Sequence, residues 1–216
     1  MSATDPSPAR PPARIVLEGR YGRLEPIGPQ HVADLYRAAA GQDQRFTYLF
    51  EDAPASEVAM TDWVARAMAK DDPLSFAVVD HATGKAQGRQ SLMRITPEHG
   101  VVEIGGIYWG PEIARTRVTT EALFLHARYV FDELGYRRFE WKCNLLNEPS
   151  KAAAKRFGFS FEGVFRQHMI IKGANRDTAW FAMLDGDWPR IRAEYERWLE
   201  PGNFDADGVQ KSKLRF

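Results

Sequence analysis

Val101-Val-Glu-Ile-Gly-Gly-Ile-Tyr-Trp-Gly-Pro-Glu-Ile-Ala-Arg-Thr-Arg-Val-Thr-Thr-Glu-Ala122 is a strand, a polar turn and the opening of a helix. The strand is apolar and β-branched, carries a glycine pair, and stops at Pro111, which has no N–H for a sheet ladder. A helix beginning between Thr116 and Thr119 places Leu123, Ala127, Val130 and Leu134 on one face, and Gly135 sits where a C-terminal cap belongs. The first turn of a helix offers unpaired N–H groups and the positive end of the macrodipole, both of which attract phosphate. Arg115 and Arg117, with the hydroxyls of Thr116, Thr119 and Thr120, would complete an anion cradle. The same residues also fit a capped helix with solvated arginines, and the stretch alone leaves both readings open.

Around this unit lies a chain of 216 residues, 44% apolar, enough for one sizeable core. Its 29 basic and 29 acidic residues cancel, so no broad nucleic-acid footprint is expected. A single cysteine, Cys143, excludes an internal disulfide framework and fits a reducing compartment. No apolar run approaches the roughly 20 residues of a membrane span, and the N-terminus lacks the apolar core of a signal peptide. A cytoplasmic protein with no membrane association is expected.

Outward from the central unit, residues 1–14 are proline-rich and expected to be disordered. Short extended pieces around Gly19 lead to a strand ending near Pro26. A helix from Pro29 to about Ala40 has Val32, Leu35, Tyr36 and Ala39 inward. Residues 42–55 are irregular and aromatic, with Phe46, Tyr48 and Phe50 expected mainly as packing. Ser56 caps a helix through Lys70. Leu74–Asp80, Gln87–Ile95 and the opening strand form an antiparallel meander. After the central helix, Arg138–Cys143 alternates as a strand, Pro149 sits in the first turn of another helix, and a hairpin turns around residues 172–175. Asp187 is expected to cap a last helix, and residues 200–216 read as a tail. One domain spans residues 15–199.

The element order, together with Glu103-Ile-Gly-Gly106, Thr119-Thr-Glu-Ala122, Asn147-Glu-Pro-Ser150, Phe157-Gly-Phe159, Phe161-Glu-Gly163 with Arg166, and Arg176-Asp177, resembles the Gcn5-related N-acetyltransferase (GNAT) superfamily, in its RimJ/RimL-like branch. The resemblance implies an α/β (α+β) fold: a mixed, mostly antiparallel twisted sheet of about seven strands flanked by helices. It implies acetyl-coenzyme A as co-substrate, lying where Val101–Trp109 and Arg138–Cys143 diverge. Pantetheine would pair with the backbone of Ile107, Tyr108 and Trp109. Pyrophosphate would sit on Arg115, Thr116, Arg117, Val118, Thr119 and Thr120, with Asn147, Ser150 and Lys151 near the pantetheine arm. The chain departs from the family's phosphate loop at Ala114, where Arg or Gln is usual, and at Arg117, where glycine is usual.

The implied reaction is direct attack of an amine on the thioester in a ternary complex, the acceptor being a protein N-terminus or a small-molecule amine. Glu103, a carboxylate on an apolar strand, is the candidate base, with a structural ion pair to Arg94 or another strand neighbour as the equal alternative and a water relay with no single base as a third. The resemblance makes Ser150 a candidate acid, with an ordinary first-turn helix hydroxyl as the alternative, and Tyr108 is a second phenolic candidate in range. Cys143 reads as a small buried hydrophobe and His126 as packing or surface. No cluster has metal-ligand spacing, so no metal is expected. The acceptor pocket is expected between residues 42–55, the Ser56 helix and the hairpin around Ile171–Asp177. A homodimer is compatible with the branch. The competing function is a non-catalytic acyl-coenzyme A-binding regulatory or interaction protein.

Overall fold

In a computed structural model of the chain, residues 8–216 are described. Eight strands form one sheet in the order β1-β2-β3-β4-β5-β6-β8-β7. They are β1 (Leu17–Glu18), β2 (Gly22–Pro26), β3 (Leu74–Asp80), β4 (Ala86–Thr96), β5 (Val101–Trp109), β6 (Arg138–Asn144), β7 (Ser160–Ile171) and β8 (Ala174–Leu184). The strand beyond the expected seven is β1, two residues that close a hairpin on β2. All neighbours run antiparallel except β5 and β6. A parallel pair needs a crossover, and α4 (Arg117–Arg128) supplies it, ending in a π turn at Tyr129–Glu133.

Alternation along the strands sends side chains to two faces. On one, Phe76, Leu92, Val102, Ile104, Phe139 and Phe181 pack with the apolar sides of α4 and of α6 (Trp188–Leu199). On the other, Ala77, Val79 and Tyr108 pack with α1 (Val32–Ala39) and α3 (Glu57–Met68). Burial of each large apolar side chain contributes about 1.5–3 kcal/mol, so these two layers hold the sheet. The short α2 (Asp43–Phe46) interrupts the irregular segment, and α5 (Glu148–Arg156) follows β6.

Several expectations need correction. Of residues 1–14, residues 1–7 lie outside the described part, and residues 8–14 are not free. Ala9 and Arg10 donate backbone N–H groups to Pro97 and Leu134 carbonyls, and Ala13 donates to the Tyr129 hydroxyl. Residues 200–216 are not a tail. Phe204 is buried against Trp198, Trp198 Nε1 donates to Gln210, and Phe216 packs on Tyr195. Apolar residues spaced singly among polar ones gave no periodic signal there. Of the loop aromatics only Phe46 is buried; Phe50 is 46% exposed. Asp187 stands at the start of α6 without a side-chain cap bond.

Candidate active site

The site begins with a break in pairing. β5 and β6 are in register from Val101↔Arg138 to Ile104↔Trp141 and not beyond. β6 continues on β8 as far as Asn144↔Thr178, so the strands part at Gly105. A bulge occurs there, between Arg89↔Tyr108 and Ser91↔Gly105. Gly106 takes a φ of +58°, a left-handed conformation that glycine adopts without a Cβ penalty. Arg89 Nη1 donates to the Gly106 carbonyl at 2.9 Å and holds the bulge. Among the described residues, the edge of Ile107–Trp109 toward β6 has no ladder partner, and Arg45 Nη1 reaches the Trp109 carbonyl at 3.4 Å.

The bulge also settles Tyr108. Its phenol turns into the α1–α3 layer, donates to the Ala38 carbonyl at 2.6 Å and stacks on Phe46. Burial pushes its pKa up to about 12. Tyr108 is a packing anchor; its hydroxyl is committed away from the gap, which corrects its candidacy as an acid. Trp109 turns the opposite way, edge-on to Phe157, with Nε1 donating to Gln90.

At the end of the gap, the turn before α4 has Arg115 at φ +66°. Thr116 is the N-cap and accepts from the Val118 N–H at 3.2 Å. Within the described residues, no hydrogen bond is made by the N–H groups of Arg115, Arg117 and Thr119. The hydroxyls differ from expectation. Thr116 donates to Ile113, and Thr119 and Thr120 both donate to the Thr116 carbonyl. Threonine in a first turn satisfies the helix's own carbonyls when its Oγ turns inward, so the three hydroxyls are not cradle donors. The Arg117 guanidinium lies 4.4 Å from the centre of the Tyr21 ring and 5.3 Å from that of Phe204. Of the expected cradle, the free backbone N–H groups and the exposed Arg115 side chain remain, donors of the kind an anion takes.

Across the gap, Asn147 Oδ1 accepts from the Ser150 N–H at 3.1 Å and caps α5. Ser150 Oγ accepts from Trp141 Nε1 at 3.0 Å. Burial pushes the Cys143 pKa up. Lys151 pairs with Glu148.

Glu103 is 3% exposed. Its Oε2 pairs with Arg94 at 2.7 Å and Lys142 at 3.0 Å, so of the two readings the ion pair is present. Its Oε1 has no hydrogen bond among the described residues and lies on the Gly105 side. Lys142 also holds Glu140, and Arg138 joins Glu140 to Glu162.

Over this face lies the 42–55 segment. Lys172, at the tip of the β7–β8 hairpin, donates to the Phe46 and Glu51 carbonyls and pairs with Asp52. Tyr48 donates to the Leu146 carbonyl. Beneath the segment a cavity of about 280 Å³ is lined by Phe46, Met60, Trp63, Arg89, Tyr108 and neighbours. Arg89 pairs with Glu51 and lies over Trp63. Residues of the 42–55 segment and of α3 line this cavity, and none of the Ile171–Asp177 hairpin, the third expected wall, does. Sequence reasoning missed Arg89, because β4 (Ala-Gln-Gly-Arg-Gln-Ser-Leu-Met-Arg-Ile-Thr) mixes polar and apolar residues and nothing in it sets Arg89 apart from Arg94.

Two parallel strands whose pairing ends at Ile104↔Trp141, beside a helix start with free N–H groups, mark the candidate site on an α/β sheet. Residues 23–160 match the family model described as "Acetyltransferase (GNAT) domain", and the chain belongs to that family. A crystal structure of a GCN5-related N-acetyltransferase from Brucella melitensis superposes with a TM-score of 0.94 at 55% identity, covering 96% of this chain and 95% of that one. A GNAT-family protein of Chromobacterium violaceum ATCC 12472 does so with a TM-score of 0.80 at 37% identity, covering 88% and 94%. YdaF of Bacillus subtilis (strain 168), provisionally named as a ribosomal N-acetyltransferase, is 29% identical over 106 residues, 49% of this chain. The chain spans 57% of the length of that curated relative. Among the described residues, no helix is long and apolar enough to cross a membrane.

Proposed function

We propose that the protein is an acetyl-coenzyme A-dependent N-acetyltransferase that acetylates a primary amine by direct attack in a ternary complex. The parting of β5 and β6 at Gly105, beside the free N–H groups before α4, carries this reading. The N–H groups of Arg115, Arg117 and Thr119 would hold the pyrophosphate, the free edge of Ile107–Trp109 the pantetheine, and Asn147 with Lys151 its arm. When bound, acetyl-coenzyme A supplies a thioester carbonyl as electrophile and a thiol as leaving group.

The chain's own groups manage the protons. Oε2 of Glu103 is held by two cations, so the ammonium proton of the acceptor goes to Oε1 through one water. Ser150, which accepts from Trp141 at Oγ, keeps its own proton for donation into the gap. Arg117 occupies the glycine position of the family loop without obstructing it, because its side chain lies against Tyr21 and Phe204. This weakens the alternative of a non-catalytic site. The resemblance to a protein named for the ribosome makes a protein N-terminus one acceptor to test.

Acetyl-coenzyme A titrated by calorimetry should bind with micromolar Kd, and dephospho-coenzyme A serves as comparison. Thiol release with an amine panel should follow, and Glu103→Gln should cut turnover at least tenfold with Kd retained. Absence of binding at high micromolar cofactor overturns the reading; binding without turnover of any amine leaves the regulatory alternative.

A further inference from the structure

Arg176 lies on β8, 7% exposed, on the sheet face that carries Glu103 and Lys142. Its guanidinium carbon is 5.2 Å from the centre of the Phe50 ring, so the 42–55 segment closes over it. Among the described residues it makes no hydrogen bond and no ion pair, and its Nε is shut off from solvent without a partner. The nearby carboxylates are already committed. Glu103 holds Arg94 and Lys142, Glu51 holds Arg89, and Asp52 holds Lys172. Asp177, next in sequence, accepts from the Gln167 N–H and from Asn175. A buried guanidinium with no counter-ion is a costly arrangement, and removal from water disfavours its charge. Burial indeed lowers the Arg176 pKa. Neighbouring Arg94 adds to the local positive excess, since Glu103 serves two cations already.

We infer that Arg176 is a specificity-determining residue that binds a carboxylate carried by the acceptor amine. This rests on the acetyltransferase reading above and refines it. The position suits the role: Arg176 shares the face of Glu103, whose Oε1 is the proton acceptor, beneath a segment pinned by Lys172. A planar guanidinium matches a carboxylate through two parallel hydrogen bonds. The acceptor class is therefore an amine with a carboxylate close to it, as in a free amino acid or a peptide that begins with an acidic residue.

The test uses the full chain and matched acceptors: phenylalanine with phenethylamine, alanine with ethylamine, and peptides beginning with Asp or with Asn. Thiol release from acetyl-coenzyme A gives kcat/KM for each, and calorimetry in the presence of coenzyme A gives binding of the N-acetyl amino acids. In the wild type the carboxylate-bearing partner of at least one pair should be preferred tenfold or more. Arg176→Gln should abolish that preference, leave the Kd of acetyl-coenzyme A unchanged, and leave the melting temperature equal or higher. A guanidinium that served only the fold would lower the melting temperature on substitution. Arg176→Lys should restore part of the preference. Equal use of both members of every pair, or a preference that survives in Arg176→Gln, overturns the proposal while acetyl transfer stands. So does failure of every carboxylate-bearing amine and N-acetyl product to bind the coenzyme A-loaded chain. Failure to bind acetyl-coenzyme A at all removes the underlying function as well.

Discussion

His126 is fully enclosed in α4, edge-on to Phe76, with Nδ1 bonded to Gln90 and Nε2 without a partner among the described residues. Burial pushes its pKa down to about 3. The unfolded chain takes up that proton near pH 6.5, the folded chain only far below. Stability from the neutral ring is thus complete above pH 6.5 and falls as pH drops toward 3, by at most about 1.4 kcal/mol per pH unit. Urea unfolding between pH 7 and 5 should show His126→Gln losing less stability than the wild type; identical slopes would refute the enclosed neutral imidazole. Tyr108 gives a second residue-scale prediction. Tyr108→Phe orphans the Ala38 carbonyl and should cost about 1 kcal/mol, while kcat stays within twofold because the phenol faces α1. Neither residue was readable from spacing alone. His126 left packing and surface unresolved, and Tyr108 was misassigned because strand alternation cannot register a bulge until Gly106 takes its positive φ.

At the scale of elements, α4 does two jobs with adjacent residues. Its start offers free N–H groups, and one turn later Glu121 accepts from the backbone N–H groups of Arg20, Tyr21 and Gly22 at 2.6–2.9 Å. That carboxylate fixes the β1–β2 turn to the helix, and Gly19 leaves it room, since a Cβ there would lie 2.5 Å from its carboxyl carbon. Glu121→Ala should destabilise by roughly 2–4 kcal/mol, as three donors lose their acceptor, and hydrogen exchange should rise first in residues 17–24. An unchanged melting temperature would mean the turn is held otherwise. Helices with a continuous apolar face, such as α1, α3 and α6, were legible because burial imposes a period on the sequence. The three threonines of the α4 start were legible as a helix opening but not in orientation. Thr119 and Thr120 satisfy Thr116 from inside, and no spacing rule separates inward from outward hydroxyls.

For the whole molecule, the antiparallel meander of β3, β4 and β5 was readable, and the resemblance gave the parallel pair β5 and β6 that places the gap; the insertion of β8 between β6 and β7 was not read. Nor was long-range side-chain pairing. The ties from Lys172 to the 42–55 segment span more than a hundred residues of chain, and Arg89 finds Glu51 only after β4 and the loop are both in place. Arg176 is the same case in reverse: its lack of a partner can be known only once every carboxylate nearby has found its own.

The contact of Arg117 with Phe204 joins the turn before α4 to residues 200–216. Because Phe204 also seats against Trp198 and Tyr21, order in that segment and order in the turn are coupled equilibria. Coupling of this kind is reciprocal. Phe204→Ala should therefore weaken acetyl-coenzyme A binding several-fold from outside the gap, and saturating cofactor should slow trypsin cleavage after Lys211 and Lys213. If neither changes, the two segments are independent. If both do, the far end of the chain works as a thermodynamic reporter of cofactor occupancy, so that a partner gripping residues 200–216 would set the affinity of a site it never touches.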